Sequence, residues 1–318
     1  MQLVRNSVDA VTEPTDRRFE THNGQIIECT TEAASPLVAE FFAGYDAAFV
    51  LPNEKEDLPG FVACLALNSG AEYQRLSALY GPFREVVAIV RDPATGELAA
   101  GANFIVFPLR TGGIELLSMN LNYVFVAAGH RRKGHFARLI ASLPEIASGY
   151  FTEPSGDQAE GWPRLHIFIE QNDPLRMDPA DYALDTAHSG IDQLQRIRLW
   201  AALGAHIIDF DYVQPGLSAD QAPDHSLVYG VLGAGAAPLD ACLLREHLIR
   251  FFGISVLKGS TQPEDNDAAA PQLAALAGLC ACDTPLPLLS PSRLPQSPAA
   301  PASGPSVRSL RDFIKAPG

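Results

Sequence analysis

The stretch from Leu116 to Glu145, LLSMNLNYVFVAAGHRRKGHFARLIASLPE, constrains this chain more than any other. It reads as a strand, a sharp basic turn and a helix. From Leu116 to Val126 the residues alternate. Leu117, Met119, Leu121, Tyr123 and Phe125 fall on one face, while Ser118, Asn120 and Asn122 fall on the other. Polar residues inside a central strand need a buried reason, so Ser118, Asn120 and Asn122 are expected in the wall of a substrate pocket. Gly129-His130-Arg131-Arg132-Lys133-Gly134 is too polar and too flexible to be core. A helix is expected from about Gly134, with Phe136, Leu139, Ile140 and Leu143 at helical spacing.

A turn that feeds a helix N-terminus presents free backbone N–H groups and the positive end of the helix dipole. With Arg131, Arg132 and Lys133 beside it, such a turn suits a phosphate or pyrophosphate. Gly134 lets an anion approach the backbone closely. A basic turn alone is usually just solvated. The strand before this one and the helix after it favour the anion reading.

The segment Val126 to Phe136 resembles the acyl-coenzyme A motif of the GNAT acyltransferase superfamily, Arg/Gln-x-x-Gly-x-Gly/Ala between the fourth strand and third helix. Arg131 and Gly134 match its first and fourth positions. Phe136 stands at the last, where the family has a small residue. The order of elements extends the resemblance from roughly Leu37 to Leu232. It implies an α/β fold: a mixed, mostly antiparallel central sheet with flanking helices, splayed between the fourth and fifth strands. It also implies acetyl-CoA or another acyl-CoA as co-substrate. Pantetheine would pair with main-chain groups of Val124, Phe125 and Val126. The pyrophosphate would lie on the turn from Arg131 to Phe136, which includes Lys133 and His135.

The chain has 318 residues and 47% hydrophobic content, enough for a sizeable core. Its net charge of −14 argues against a general nucleic-acid binder. No run approaches the roughly 20 apolar residues of a membrane span, and the N-terminus lacks a secretory core. Five cysteines, odd in number and scattered, do not read as a disulfide framework, and Cys280-Ala281-Cys282 reads as incidental. The expected location is therefore the reducing cytoplasm.

The expected organisation is a polar arm over residues 1–24, an acyltransferase domain over 25–258 and a flexible tail over 259–318. Asp46 to Leu51 and His206 to Val213 read as strands, Leu175 to Gly190 as an irregular insertion, and Leu239 to Gly253 as a helix. The tail is rich in Pro, Ala and Ser and reads as disordered, dispensable for catalysis. Two helical islands are expected in it, one around Leu273 to Leu279 and one over Ser309 to Lys315. The second is expected to dock on a partner or on the domain itself.

Amine attack on a thioester requires a base, often acting through water. Glu170, at the end of the strand Leu165 to Glu170, is the first candidate. Glu115 is the second, and it reaches the cleft only if a bulge shifts its strand. Asn172 is a candidate for binding pantetheine or substrate. Glu54, on an acidic early loop, is placed by the resemblance beside the acceptor pocket. Many family members use a tyrosine four residues before a glycine as general acid. That place holds Trp200 here, before Gly204, so the expectation is that either Tyr182 or Tyr212 takes the role or the thiolate leaves unassisted. Histidines are dispersed without metal-ligand spacing, and no metal is expected. The favoured function is direct acyl transfer from coenzyme A to a small-molecule amine. The alternatives are an N-acyl synthase fed by a carrier protein and a non-catalytic acyl-CoA-binding module.

Overall fold

A computed structural model describes residues 15–151, 164–218, 221–292, 294 and 309–316. The described strands form one nine-stranded sheet in the order β1-β2-β3-β4-β5-β6-β8-β7-β9. These are β1 (Asp16–Glu20), β2 (Ile26–Thr30), β3 (Arg84–Arg91), β4 (Leu98–Thr111), β5 (Ile114–Val126), β6 (Leu165–Asn172), β7 (His206–Ile208), β8 (Leu227–Leu232) and β9 (Leu288–Leu289). Every pairing is antiparallel except β5 with β6. The parallel pair follows from connectivity, because α4 (His135–Phe151) carries the chain back across the sheet between them.

The pairing of β5 with β6 runs from Leu117–Leu165 to Leu121–Ile169 and stops there. Both strands continue. On its β6 side, β5 has no ladder partner from Asn122 to Val126, so the sheet opens into a cleft. The expected splay is therefore present, between the fifth and sixth strands of this chain's own count.

One element of the alternation fails informatively. β4 pairs Asn103 with Tyr123 and Phe104 with Leu121, which leaves Asn122 as the extra residue of a bulge. The bulge reverses the facing of everything after it. Leu117, Met119 and Leu121 pack under α4 with Val124 and Val126. Tyr123 and Phe125 instead join Phe41, Tyr45 and Phe61 of α1 (Pro36–Ala48) and α2 (Leu58–Ala66) on the opposite side. The bulge lies beyond Ser118, so it does not bring Glu115 to the cleft. Glu115 sits exposed at the far end of β5, paired with Arg110 at 2.6 Å.

Several other expectations are corrected. Residues 16–20 of the expected arm form edge strand β1. Asp46–Leu51 is no strand, because α1, capped by the Ser35 hydroxyl, runs through Ala48. The expected insertion holds a regular helix, α5 (Pro179–Ser189), N-capped by Asp178 and ended by left-handed Gly190. α6 (Gln193–Ala202) follows it, and β7 ends at Ile208 rather than Val213.

The expected tail is packed well past Gly259. α7 (Ala241–Phe251) continues as a π-helical turn, Phe252–Val256, and α8 (Ala269–Ala281) lies against it with Leu273 and Leu276 buried. Cys242 and Cys280 form a disulfide between α7 and α8, with Cα atoms 4.9 Å apart. The cysteines therefore do staple the fold, and they give no argument for a reducing compartment. α9 (Leu310–Lys315) docks on the chain's own domain. Leu310 is buried beside Ile197, Ile207 and Val228, and its N–H donates to Asp173 Oδ2 at 2.8 Å. Residues 295–308, between these parts, lie outside the described residues. No described helix is long and apolar enough to cross a membrane.

Candidate functional site

The open end of the sheet leads into a cavity of about 660 Å³. Its walls are β5 from Leu121 to Val126, β6 from Ile169 to Asn172, the turn before α4, and parts of α5 and α6. Glu54 and Glu56 close it from the early loop, and Phe251, Ser255 and Val256 from the π-helical turn.

At one end the cavity is basic. Arg132 and Gly134 both have positive φ, +63° and +79°, so the turn coils tightly before His135 opens α4. The first-turn N–H groups of α4 have no acceptor within the helix, and His135, Phe136 and Ala137 line this end of the cavity. Only Gly134 adopts its conformation without steric cost. Arg131 behaves differently from the expectation. Its guanidinium donates to Ser189 O at 2.6 Å, capping the C-terminal end of α5. It therefore ties the turn to α5, while Arg132 lines this end of the cavity and Lys133 is exposed next to it without lining the cavity.

Phe136 and Trp200, the two departures from the family pattern, touch each other. Their rings meet edge to face with centroids 4.9 Å apart, and both line the cavity. A bulky residue on α4 is thus matched by a bulky residue on α6, and one aromatic pair fills the wall between the turn and β6.

At the other end the cavity is acidic. Glu170 lies on its wall and accepts a hydrogen bond from the Tyr212 hydroxyl. Burial pushes its carboxyl up to about 7, against the Tyr212 and Asn120 hydrogen bonds that favour the charged form. Glu54 is pushed to about 7 for the same reason and accepts from Asn172 Nδ2 at 2.6 Å. Asp224 and Asp185 complete this end, Asp185 being paired with Arg196 at 2.8 Å. Asn172 therefore holds Glu54 in place.

Of the expected pocket-wall residues, Asn122 lines the cavity. Ser118 and Asn120 are fully buried behind it in a continuous chain of hydrogen bonds. The Ser118 hydroxyl meets His247 Nδ1 at 2.8 Å, and His247 Nε2 meets the Tyr229 hydroxyl at 2.8 Å. Tyr229 donates to Asn120 Oδ1 at 2.6 Å, Asn120 Nδ2 to Asn122 Oδ1 at 2.9 Å, and Asn122 Nδ2 to Asn103 Oδ1 at 3.1 Å. One imidazole tautomer satisfies every step: Ser118 donates to Nδ1 and Nε2–H donates to Tyr229. Burial holds the His247 pKa well below its usual value, so the ring stays neutral and the chain keeps one direction. Asn120 belongs to both this chain and Glu170, which fixes β5 against β6 where they part.

Tyr182 does not reach the site. Its hydroxyl donates to Asp192, the N-cap of α6. Tyr212 is buried behind Glu170. Tyr123 is the one tyrosine among the described cavity-lining residues, and burial keeps its hydroxyl protonated. Sequence reasoning had placed it on the apolar face, and only the bulge at Asn122 turns it in. His247, Tyr229 and Asp224 carried no local signal at all.

No protein-family description matches this chain, and no curated protein does. Solved structures similar to it include the ribosomal-protein-S18-alanine N-acetyltransferase of Escherichia coli, at 14% identity and a TM-score of 0.33 over 71% of this chain and 96% of that one. Another is Naa20 of Chaetomium thermophilum in complex with a bisubstrate analogue, at 14% and 0.33 over 68% and 84%. A third is diaminobutyrate acetyltransferase EctA of Paenibacillus lautus with its substrate and coenzyme A, at 13% and 0.31 over 70% and 95%. Likeness this distant carries no argument about activity or acceptor. The strand order, the parting of β5 from β6 and the basic turn at the mouth of α4 make this a GNAT-like fold.

Proposed function

We propose that this chain transfers an acyl group from coenzyme A to an amine, directly, in a ternary complex. The observation that carries the reading is the unpaired β5 edge from Asn122 to Val126, which runs between a basic helix N-terminus and a carboxyl held near pH 7. Pantetheine lies along β5 as an extra strand, hydrogen-bonded to main-chain groups of Val124, Phe125 and Val126. The pyrophosphate rests on the N–H groups from Arg132 to Phe136. This places the thioester beside Tyr123.

An ammonium is drawn to the acidic end by Glu54 and Asp224. Glu170 removes its proton, and the neutral nitrogen attacks the thioester carbonyl. The C–N bond forms, the C–S bond breaks, and the nitrogen gives its second proton to solvent as the amide forms. The sulfur leaves as a thiolate, to which the Tyr123 hydroxyl donates on giving up its long bond to Glu54 O at 3.3 Å, and then takes a proton from solvent. A residue with pKa near 7 suits the base role, since it is half ionised at neutral pH and strong enough to accept the proton. Among the described residues no cysteine lies beside a His–Asp pair at the site, so no acyl-enzyme is invoked.

A screen of primary amines with acetyl- and longer acyl-CoA, followed by thiol release, tests the proposal. Amine-dependent release of one thiol per amide formed supports it. Tight acyl-CoA binding without release for any amine favours the non-catalytic binding module. Release only from an acylated carrier protein favours the N-acyl synthase.

A further inference from the structure

The described histidines are not all dispersed. Asp92 in the β3–β4 turn, His130 in the 3₁₀ turn Ala128–His130, and His135 at the start of α4 converge, with one ligand atom from each lying within 4.8 Å of the others. His130 and His135 are both buried, at 8% and 5% exposure. The Asp92 Oδ2 to His130 Nδ1 distance is 3.2 Å, yet the pair does not make a hydrogen bond and His130 Nδ1 is left without a hydrogen-bond partner. Two ligands of one tetrahedral ion with bonds of about 2.0–2.1 Å stand roughly 3.3 Å apart, without pointing at each other. The two groups fit that relation better than a hydrogen bond.

We propose that Asp92, His130 and His135 form a binding site for a divalent transition-metal ion, with Zn²⁺ the best match to a two-imidazole, one-carboxylate donor set. The carboxylate is already oriented, since Asp92 Oδ1 accepts from Ala94 N at 2.9 Å and leaves Oδ2 toward the histidines. Glu97, with Oε2 3.5 Å from His130 Nε2, supplies a second negative charge to the site. His130 and His135 also line the cavity, so a fourth ligand, water or another oxygen donor, enters from that side. One group opposes the ion. Arg138 Nη2 lies 3.4 Å from His135 Nδ1, and this long side chain must swing away when a cation binds. The ion would join the β3–β4 turn to both ends of the basic turn 130–135, which no hydrogen bond between these side chains now does. The site stands independently of the acyl-transfer reading.

The test is calorimetric titration of Zn²⁺ into untagged full-length protein previously dialysed against chelator. The expected result is one equivalent bound with a dissociation constant in the low micromolar range or below. Asp92→Asn, on the exposed hairpin, and His135→Asn should each weaken binding at least tenfold while circular dichroism shows the fold intact. Arg138→Ala should tighten it several-fold by removing the competing cation. Co²⁺ in place of Zn²⁺ should show visible bands of a nitrogen and oxygen site without thiolate charge transfer. Absence of binding below millimolar Zn²⁺ would overturn the proposal. So would undiminished binding in Asp92→Asn/His135→Asn, or thiolate bands, which would move the ion to Cys64 or Cys282.

Discussion

The two ends of the cavity are built in opposite ways. The basic end is local: nine consecutive residues, from Ala128 to Phe136, make the 3₁₀ turn, the coiled turn and the helix start. The acidic end is assembled from Glu54, Glu170, Asp185 and Asp224, brought together by a 3₁₀ turn, β6, α5 and the segment before β8. A local site survives as long as its own backbone geometry is kept. An assembled site depends on everything that holds its parts in register, including the C-terminal elements behind Phe251, Ser255 and Val256. The two ends should therefore fail separately, and by different kinds of mutation.

The largest separation is expected from Glu170→Gln. Turnover should fall by about 10²–10⁴-fold, the usual contribution of a general base, while calorimetry shows coenzyme A affinity nearly unchanged. In the wild type the rate should rise from pH 6 to 8 with an apparent pKa near 7, because the ionised carboxyl is the active form. Unchanged turnover in the variant would move the base to Glu54, which has the same elevated pKa.

Gly134→Asp should do the reverse. It forces a side chain onto a φ of +79° and sets a carboxylate where the proposal puts the pyrophosphate. Coenzyme A binding should drop by about a hundredfold or more, from the strain of an L-residue in the left-handed region together with charge repulsion. Equal coenzyme A binding in wild type and variant would place the cofactor elsewhere.

The acidic end should also yield to a change that never touches it. Cys280→Ser removes the link between α7 and α8. With a separation of 38 residues, losing it should cost roughly 2–4 kcal/mol in oxidised protein. Thermal unfolding should show the difference without reductant and lose it with reductant. Truncation at Gly259 should be worse, because it also removes the buried Leu273 and Leu276. A truncated core that folds and turns over normally would show that the acidic end needs only the sheet.

The smallest effect is a matter of pH. Glu85 is fully buried behind the π-helical turn, accepts from the Ser255 hydroxyl, and is pushed up to about 7 by burial. A carboxyl with a raised folded pKa destabilises the fold where it must ionise. Stability should fall as pH rises from about 4.5 through 7, and the protein should melt higher at pH 5.5 than at pH 8. Glu85→Gln should flatten part of that slope and raise the melting temperature at pH 8. An unchanged slope would assign it to Glu170 and Glu54.

The sequence alone determined the strand, turn and helix from Leu116 to Glu145. Alternation, glycine placement and helical spacing are properties of neighbouring residues, and they need no knowledge of the rest of the chain. Glu170 was legible for the same reason, as a polar residue in a short apolar strand, although that strand runs on to Asn172 rather than ending at Glu170. Asn172 and Glu54 were both marked as site residues, but their hydrogen bond to each other was not visible. What the sequence could not show depends on register and on distant pairing. The bulge at Asn122 is set by how β4 accommodates β5, and it turns Tyr123 into the cavity; Glu115 lies before it, at the far end of β5, and is unaffected. The tail's two helical islands and the docking of the second were legible, but its packing was not: Pro and Ala content signals weak local order, whereas Leu273, Leu276, Leu310 and a disulfide whose partner lies 38 residues away hold it. Asp92, His130 and His135 likewise meet only because a hairpin tip folds against a helix start. Local geometry is written in neighbouring residues, and a contact between distant segments exists only once the sheet has brought them together.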